Sequence, residues 1–384
     1  MENKRSSLQF LDGIRGLAAL YVMIGHARWL LWEGFTQGYI LHPQQYSLLN
    51  KSLMYFFSAF RFGHEAVLLF FVLSGFVIHL RYSRNIAQLG PDAKFDLFPY
   101  LKRRSRRIIP PLLFALLLTF ILDNIGAYYN FSIYHANTFS DNINQNITND
   151  HSVLTLAGNL LFVMKFYVPV FGTNGPLWSL AYEWWFYLLY PIFFLITRRS
   201  LVLATGILIL FFVLAQFHIF PVLLLNKVFG LMLCWWLGAL LADIYNGRIK
   251  ISFVYLTPLS LLLLPLILGY FNSLSYEISS LLWSLAFIGT FSICFYVQES
   301  GYKLRILNSL KWLGDMSYTL YVIHMPIIVI LSGWLMYKNN GVLPSHFAYV
   351  FMGIIFVLIL SYFISLLIEK PFLHKKLSPA NGNQ

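Results

Sequence analysis

The sequence predicts an all-α integral membrane protein: a bundle of about ten transmembrane helices with both termini in the cytoplasm. Three observations predict it. Of the 384 residues, 58% are hydrophobic and only 11% are charged, against roughly 25% charged in a soluble domain. Apolar runs of about 20 residues, enough to cross a bilayer, recur along the chain. Lys and Arg are shared unevenly between alternate connections, as orientation by cytoplasmic positive charge requires.

In order, the spans are expected at 14–33, 60–80, 108–125, 176–197, 200–218, 222–244, 252–271, 278–298, 315–336 and 347–369. Met1 to Gln9 is short and polar, and no cleavage site follows, so the first span is expected to be retained. Links such as 198–199 and 219–221 are too short for anything but antiparallel neighbours. Two connections are long. Residues 81–107 form a basic cytoplasmic loop. Residues 126–175 form an outer loop rich in Asn, Ser, Thr and Tyr. Within it, the apolar piece 154–171 is interrupted by Gly158, Asn159, Lys165 and Pro169 and reads as an interfacial or re-entrant helix. Residues 1–377 form one transmembrane domain, and 378–384 a short polar cytoplasmic tail.

This topology sends six of the 27 Lys and Arg residues outward: Arg28, Lys51, Arg61, Lys165, Lys227 and Lys338. The other 21 lie inside or at the inner edge, so the net charge of +12 is a matter of orientation and lipid headgroups, not of nucleic acid. Cys234 and Cys294 sit inside apolar runs and offer neither a disulfide framework nor metal-ligand spacing. No internal repeat is present.

The first span carries the costliest residues. Arg15 and His26 are eleven residues apart, about three turns, so they share one helix face about 16 Å apart along the axis. Ionisable groups so placed mark a functional site by default, although a buried His can also be tied to a neighbouring carbonyl. In the fourth span, Glu183 is expected about 10 Å below the outer face, close to the depth of His26. It is either the carboxylate that steadies a His26 base or a structural partner of a buried Arg or Tyr. His64 and Glu65 stand near the outer end of the second span, followed by Phe70-Phe-Val-Leu-Ser-Gly-Phe76, in which Ser74-Gly75 reads as a close-approach patch for another helix. In the ninth span, Ser317, Tyr321 and His324 share a face, in a role of site or of packing, and Pro326 just beyond them frees a carbonyl. Before the third span, Arg104 and Arg107 stand at i and i+3. They are either orienting charges or a grip on phosphate.

Together these motifs resemble the acyltransferase-3 family of bacterial membrane O-acyltransferases. Arg15 with ten residues before His26, Phe70 to Phe76, Arg104-Ser-Arg-Arg107-Ile-Ile-Pro, Trp178 to Glu183 and Ser317 to Pro326 follow the family's order over nearly the whole chain. The resemblance implies transfer of an acyl group, usually acetyl, from cytoplasmic acetyl-CoA or another acyl-CoA to a hydroxyl of a cell-surface or lipid-linked glycan, with no metal. It implies a multi-pass protein of the bacterial cytoplasmic (inner) membrane. His26 would be the catalytic base and Arg15 its motif partner. Arg104 and Arg107, with Arg15, would meet the acyl-CoA, and Glu183 would lie near His26. Tyr321 and His324 would be supporting residues. One departure stands out: many members carry an acid where this chain has Leu68, and Glu65 is the nearest substitute. Members fused to a hydrolase-like domain also exist, and this chain carries no such domain. The acceptor is left open among O-antigen, exopolysaccharide, capsule, peptidoglycan and an acylated small molecule, as is the oligomeric state. The competing reading is a transporter or flippase of a lipid-linked glycan, against which stands the lack of an inverted repeat.

Overall fold

Regular structure in the computed structural model, which describes residues 8–373, is helical throughout; the one bridge between extended residues joins Met164 to Val168. The tail 378–384 and Lys4 and Arg5 lie outside the described residues. The long helices are α1 (Gln9–Leu30), α3 (Gly63–Leu89), α4 (Leu97–Tyr128), α7 (Trp178–Thr197), α8 (Leu201–Gln216), α9 (Leu223–Tyr245), α11 (Tyr276–Glu299), α14 (Ser317–Lys338) and α15 (Ala348–Ile368). Shorter ones are α2 (Leu48–Ser58), α5 (Asp141–Asn146), α6 (Val153–Leu160), α10 (Leu263–Ile267), α12 (Arg305–Ser309), α13 (Lys311–Asp315) and α16 (Lys370–Leu373).

Each of the ten expected spans coincides with a helical segment, but among the described residues only seven helices are long and apolar enough to cross a membrane. These are α3, α4, α7, α9, α11, α14 and α15. The other three differ for separate reasons. α1 carries Asp12, Arg15, His26 and Arg28. α8 has 16 residues and reaches only about 24 Å. The segment 253–267 is a 3-10 helix, Phe253–Leu262, running into α10, with Pro258 inside it. At about 2.0 Å per 3-10 residue it extends farther than an α-helix of that length.

Two further expectations change. The basic run Lys102 to Arg107 is not loop but the first turns of α4, continuous with the span after it, and the connection itself shrinks to residues 90–96. The apolar piece 154–171 holds only the eight-residue α6, about 12 Å long, followed by the turn that carries the Met164–Val168 bridge. It is too short to re-enter as a helix.

Glycines and prolines set the packing around the centre. A Cβ on Gly75 would fall 1.9 Å from the Trp235 carbonyl, and one on Gly238 would fall 1.9 Å from that of Val72. α3 and α9 therefore cross backbone to backbone, as Ser74-Gly75 predicted. α1 lies as tightly on 305–315: Cβ atoms on Gly13 and Gly16 would meet Leu307 O at 2.0 Å and Gly314 N at 2.6 Å.

Prolines free carbonyls that side chains then capture. Pro326 releases Val322 O, which accepts from Asn174 Nδ2 at 2.9 Å. Pro191 releases Tyr187 O, which accepts from Tyr100 Oη at 3.0 Å. The loop before α7 is fastened by Asp123, wholly buried on α4, which accepts from Thr173 N at 2.9 Å and Thr173 Oγ1 at 2.7 Å and lies 3.0 Å from His151. Gly172 beside it has φ +57°, and a Cβ there would strike Asp123 Oδ2 at 2.3 Å. Only glycine fits both demands. This anchoring fixes where α7, with Glu183, begins.

Candidate active site

α1 and α14 start at the same end of the bundle and face each other along two turns of contact. Arg15 Nε donates to Ser317 Oγ at 3.0 Å, and its Nη2 donates to Gly314 O at 2.8 Å and meets Asp12 at 3.1 Å. The glycine contacts of α1 make this reach possible. Farther along the same helices, His26 Nδ1 lies 3.0 Å from His324 Nε2. The shared face read from the spacing of Arg15 and His26 is thus the face on α14.

The hydrogen bonds fix the tautomers. His324 Nδ1 lies 3.0 Å from Leu320 O, and a carbonyl only accepts, so this nitrogen carries the hydrogen. In a neutral ring Nε2 of His324 is then bare and accepts from His26 Nδ1–H. His26 Nε2 is left with a free lone pair and makes no hydrogen bond among the described residues. His324 is wholly buried, whereas His26 is half-buried.

Three cavities meet this region. The first is a cleft with about 780 Å³ of empty space, lined among others by Arg15, Arg104, Arg107, Glu183, Tyr187 and Tyr321. His26 does not line it. The second, about 1940 Å³ and largely open, is lined by His26, Arg28, Trp29, Glu33 and residues of the 139–146 loop. Beyond the end of α1, Glu33 accepts a hydrogen bond from Tyr46 Oη at 2.9 Å. The third, about 900 Å³, also opens on His26, and Val67 and Tyr321 line both it and the cleft. Val67 and Tyr321 therefore stand between the cleft and the His26 side. The Tyr321 hydroxyl is held 2.8 Å from Ser179 Oγ and donates to Pro176 O at 3.0 Å.

Glu183 is not beside His26. It accepts from Ser74 Oγ at 3.2 Å and from the Tyr187 hydroxyl, and Trp235 Nε1 donates to the same Ser74 at 3.2 Å. Equal depth below one face left the rotation of α7 open, and that rotation turns Glu183 into the cleft, toward Arg107. Arg107 has Tyr187, Glu183, Glu369 and Tyr318 as its electrostatic neighbours. The guanidinium of Arg104 lies 5.7 Å from the Tyr187 ring centre and 6.0 Å from that of Tyr100, and its Nε is buried without a hydrogen-bond partner. Glu65 lines none of the three cavities and has Arg61 as an electrostatic neighbour, so the geometry gives it no place beside His26.

Some residues here were not expected from the sequence. Glu369 is buried at the end of the last span and accepts from Thr319 N at 3.1 Å and Thr319 Oγ1 at 2.7 Å, facing both Arg107 and Arg15. It stands beside Lys370 at the end of an apolar run, where nothing in the sequence marks a carboxylate as buried. Ser74 was read for its size alone, and its hydroxyl joins α3, α7 and α9. A second polar centre is structural: His79 of α3 lies 2.8 Å from Tyr190 Oη and 3.0 Å from Asp243, which pairs with Arg248 at 2.7 Å. Among the described residues, no group of three His, Cys, Asp or Glu could hold a metal ion.

A family model described as an acyltransferase domain matches residues 8–366. No curated protein and no solved structure matches the chain. The match spans every helix that builds the His26–His324 pair and the arginine-lined cleft, and the chain is a multi-pass membrane protein that belongs to the acyltransferase-3 family.

Proposed function

We propose that this protein is an O-acyltransferase of the bacterial cytoplasmic membrane, moving an acetyl group from acetyl-CoA to a hydroxyl of a cell-surface or lipid-linked glycan. The observation that carries the reading is the free lone pair on His26 Nε2, set by its bond to His324 and opening on cavities across Tyr321 from a cleft rich in arginine. A neutral imidazole fixed in one tautomer is what a general base needs. Arginines in a confined cleft suit the phosphates of a CoA.

In this mechanism, acyl-CoA enters at the Arg104 end, which the balance of Lys and Arg makes cytoplasmic. Arg104, Arg107 and Arg15 hold its phosphates, and its pantetheine arm runs past Tyr321. The glycan arrives from the opposite side. His26 Nε2 takes the proton of its hydroxyl, and the positive charge is shared with His324 through the bridging hydrogen. The alkoxide forms a C–O bond at the thioester carbonyl. The tetrahedral intermediate collapses, the C–S bond breaks, and the CoA thiolate takes the proton back from His26. Glu183 acts on the donor side, holding Tyr187 and balancing Arg107.

The test is mass spectrometry of surface glycans from cells with and without the protein, and with His26→Ala. Loss of an acetyl increment in both the deletion and the variant, with the polymer intact, is expected. Near-normal O-acetylation by a folded His26→Ala protein would sink the proposal, and loss of the whole polymer in the deletion would favour transport instead.

A further inference from the structure

Three of the six cations that the sequence assigns to the outer side converge on one cavity. Arg28, Arg61 and Lys165 line the 900 Å³ space beside His26, with His64, Asn146, Trp29 and Trp178, and no carboxylate lines it. None of the three forms an ion pair of 4.0 Å or less among the described residues; the pairs that do form there involve Arg15, Arg248, Lys227, Lys311, His79 and His151. Arg28 Nε is buried with no hydrogen-bond partner. Arg61 spends one N–H on Ile267 O at 3.1 Å, and its acidic neighbour Glu65 does not reach the cavity. The acids nearest on the other side, Glu33 and Asp141, line the wider cavity that Arg28 also borders, and Glu33 already accepts from Tyr46 at 2.9 Å. Like charges gathered without a counterion repel one another, more strongly where water is excluded.

We infer that this cavity is an oxyanion site, and that the acceptor carries a phosphate or carboxylate close to the hydroxyl that is acylated. The inference rests on acyl transfer at His26 and adds the charge of the substrate. Arg28 holds the group through the N–H that now lacks a partner, and Lys165 and Arg61 supply charge at the mouth. The indole of Trp29 is left for the sugar ring, whereas Trp178 stacks on His64 with ring centres 4.7 Å apart. A glycan built on uronic acid or on a glycosyl diphosphate fits; a neutral hexose polymer leaves the cations unmatched.

The test compares kcat/KM of the detergent-solubilised full-length protein for a glucuronate-containing oligosaccharide and for its neutral glucose counterpart. The anionic acceptor should be favoured tenfold or more. Arg28→Gln and Lys165→Gln should each lower that ratio by about tenfold, as expected for a lost charge-assisted contact, and Arg28→Lys should restore part of it. An equal rate on both acceptors, or a ratio that the Gln variants leave unmoved, overturns the inference while leaving acyl transfer intact. Loss of the preference on adding phosphatidylglycerol would make this a lipid-headgroup site and overturn it as well. If the wild-type protein acylates neither acceptor, acyl transfer is judged by the O-acetyl increment on surface glycans. The site is then judged by calorimetry with inorganic pyrophosphate at saturating CoA: binding lost in the Arg28→Gln, Lys165→Gln double variant upholds it, and no binding overturns it.

Discussion

The hydrogen on His324 Nδ1 decides the chemistry of His26. Because Leu320 O can only accept, the chain of bonds runs one way and ends in a lone pair on His26 Nε2. In the proposed reaction His324 is a positioning residue, acting through its neighbour rather than on substrate. The hypothesis predicts that His324→Leu, which removes the acceptor, lowers kcat by roughly ten- to a hundredfold, a fraction of what a general base contributes. The basic and acidic limbs of its pH–rate profile should shift, while KM for acyl-CoA changes little. His324→Gln, which keeps an acceptor, should recover part of the rate. Equal losses in both variants with an unshifted profile would mean that His324 only fills space. Part of this was legible in the sequence: Arg15 and His26 had to share a face of α1, and Ser317, Tyr321 and His324 a face of α14. Glu183 was misplaced because depth along a helix is one coordinate. The azimuth of α7 is set by Pro191, by Ser74 and by the Asp123-anchored loop, and none of these is visible from α7 alone.

At the scale of elements, close crossings without Cβ atoms place the site. α3 and α9 touch through Gly75 and Gly238, which brings Ser74 within reach of Glu183, Tyr187 and Trp235. Gly75→Val would drive a side chain into the Trp235 carbonyl and force the helices apart. The cost should be about 1–3 kcal/mol or more, from overpacking alone, with a lowered melting temperature in detergent and weaker acyl-CoA binding as the Glu183 side of the cleft opens. A variant as stable as the wild type would show that the crossing yields without strain. The small-residue patch here was readable because close approach demands missing side chains, whatever the partner. The helical nature of the basic run 102–107 was not, because charge marks a boundary of the apolar layer and says nothing of where a helix starts. The buried Asp123 and Asp243 escaped notice for a related reason. Each sits near a span end, where a carboxylate is ordinary, and only tertiary packing turns it inward onto His151 or His79.

For the whole molecule, Tyr321 and Val67 stand between two charged cavities. Arg15, Arg104 and Arg107 crowd the cleft on one side of Tyr321, and His26 with Arg28, Arg61 and Lys165 lies on the other. Arg15, Arg104 and Arg107 outnumber Asp12 and Glu183, the two carboxylates that line the cleft, which leaves it able to accept further negative charge once a polyanion displaces water. If Arg104 and Arg107 serve only to orient the chain, replacing them would disturb insertion and leave the affinity of the inserted protein for CoA unchanged. If they grip phosphate, each Arg→Ala should weaken CoA binding by about tenfold or more, the range of a lost charge-assisted hydrogen bond. The double variant should lose about a hundredfold where the two act independently. The salt dependence of binding should flatten at the same time, since fewer charges are left to screen. Dephospho-CoA separates the contributions further, because it lacks one phosphate and should be less sensitive to one of the two substitutions than to the other. Calorimetry on monodisperse protein reads all of these. Wild-type affinity and wild-type salt dependence in the double variant would remove the donor from this cleft, and with it the reason for a path past Tyr321.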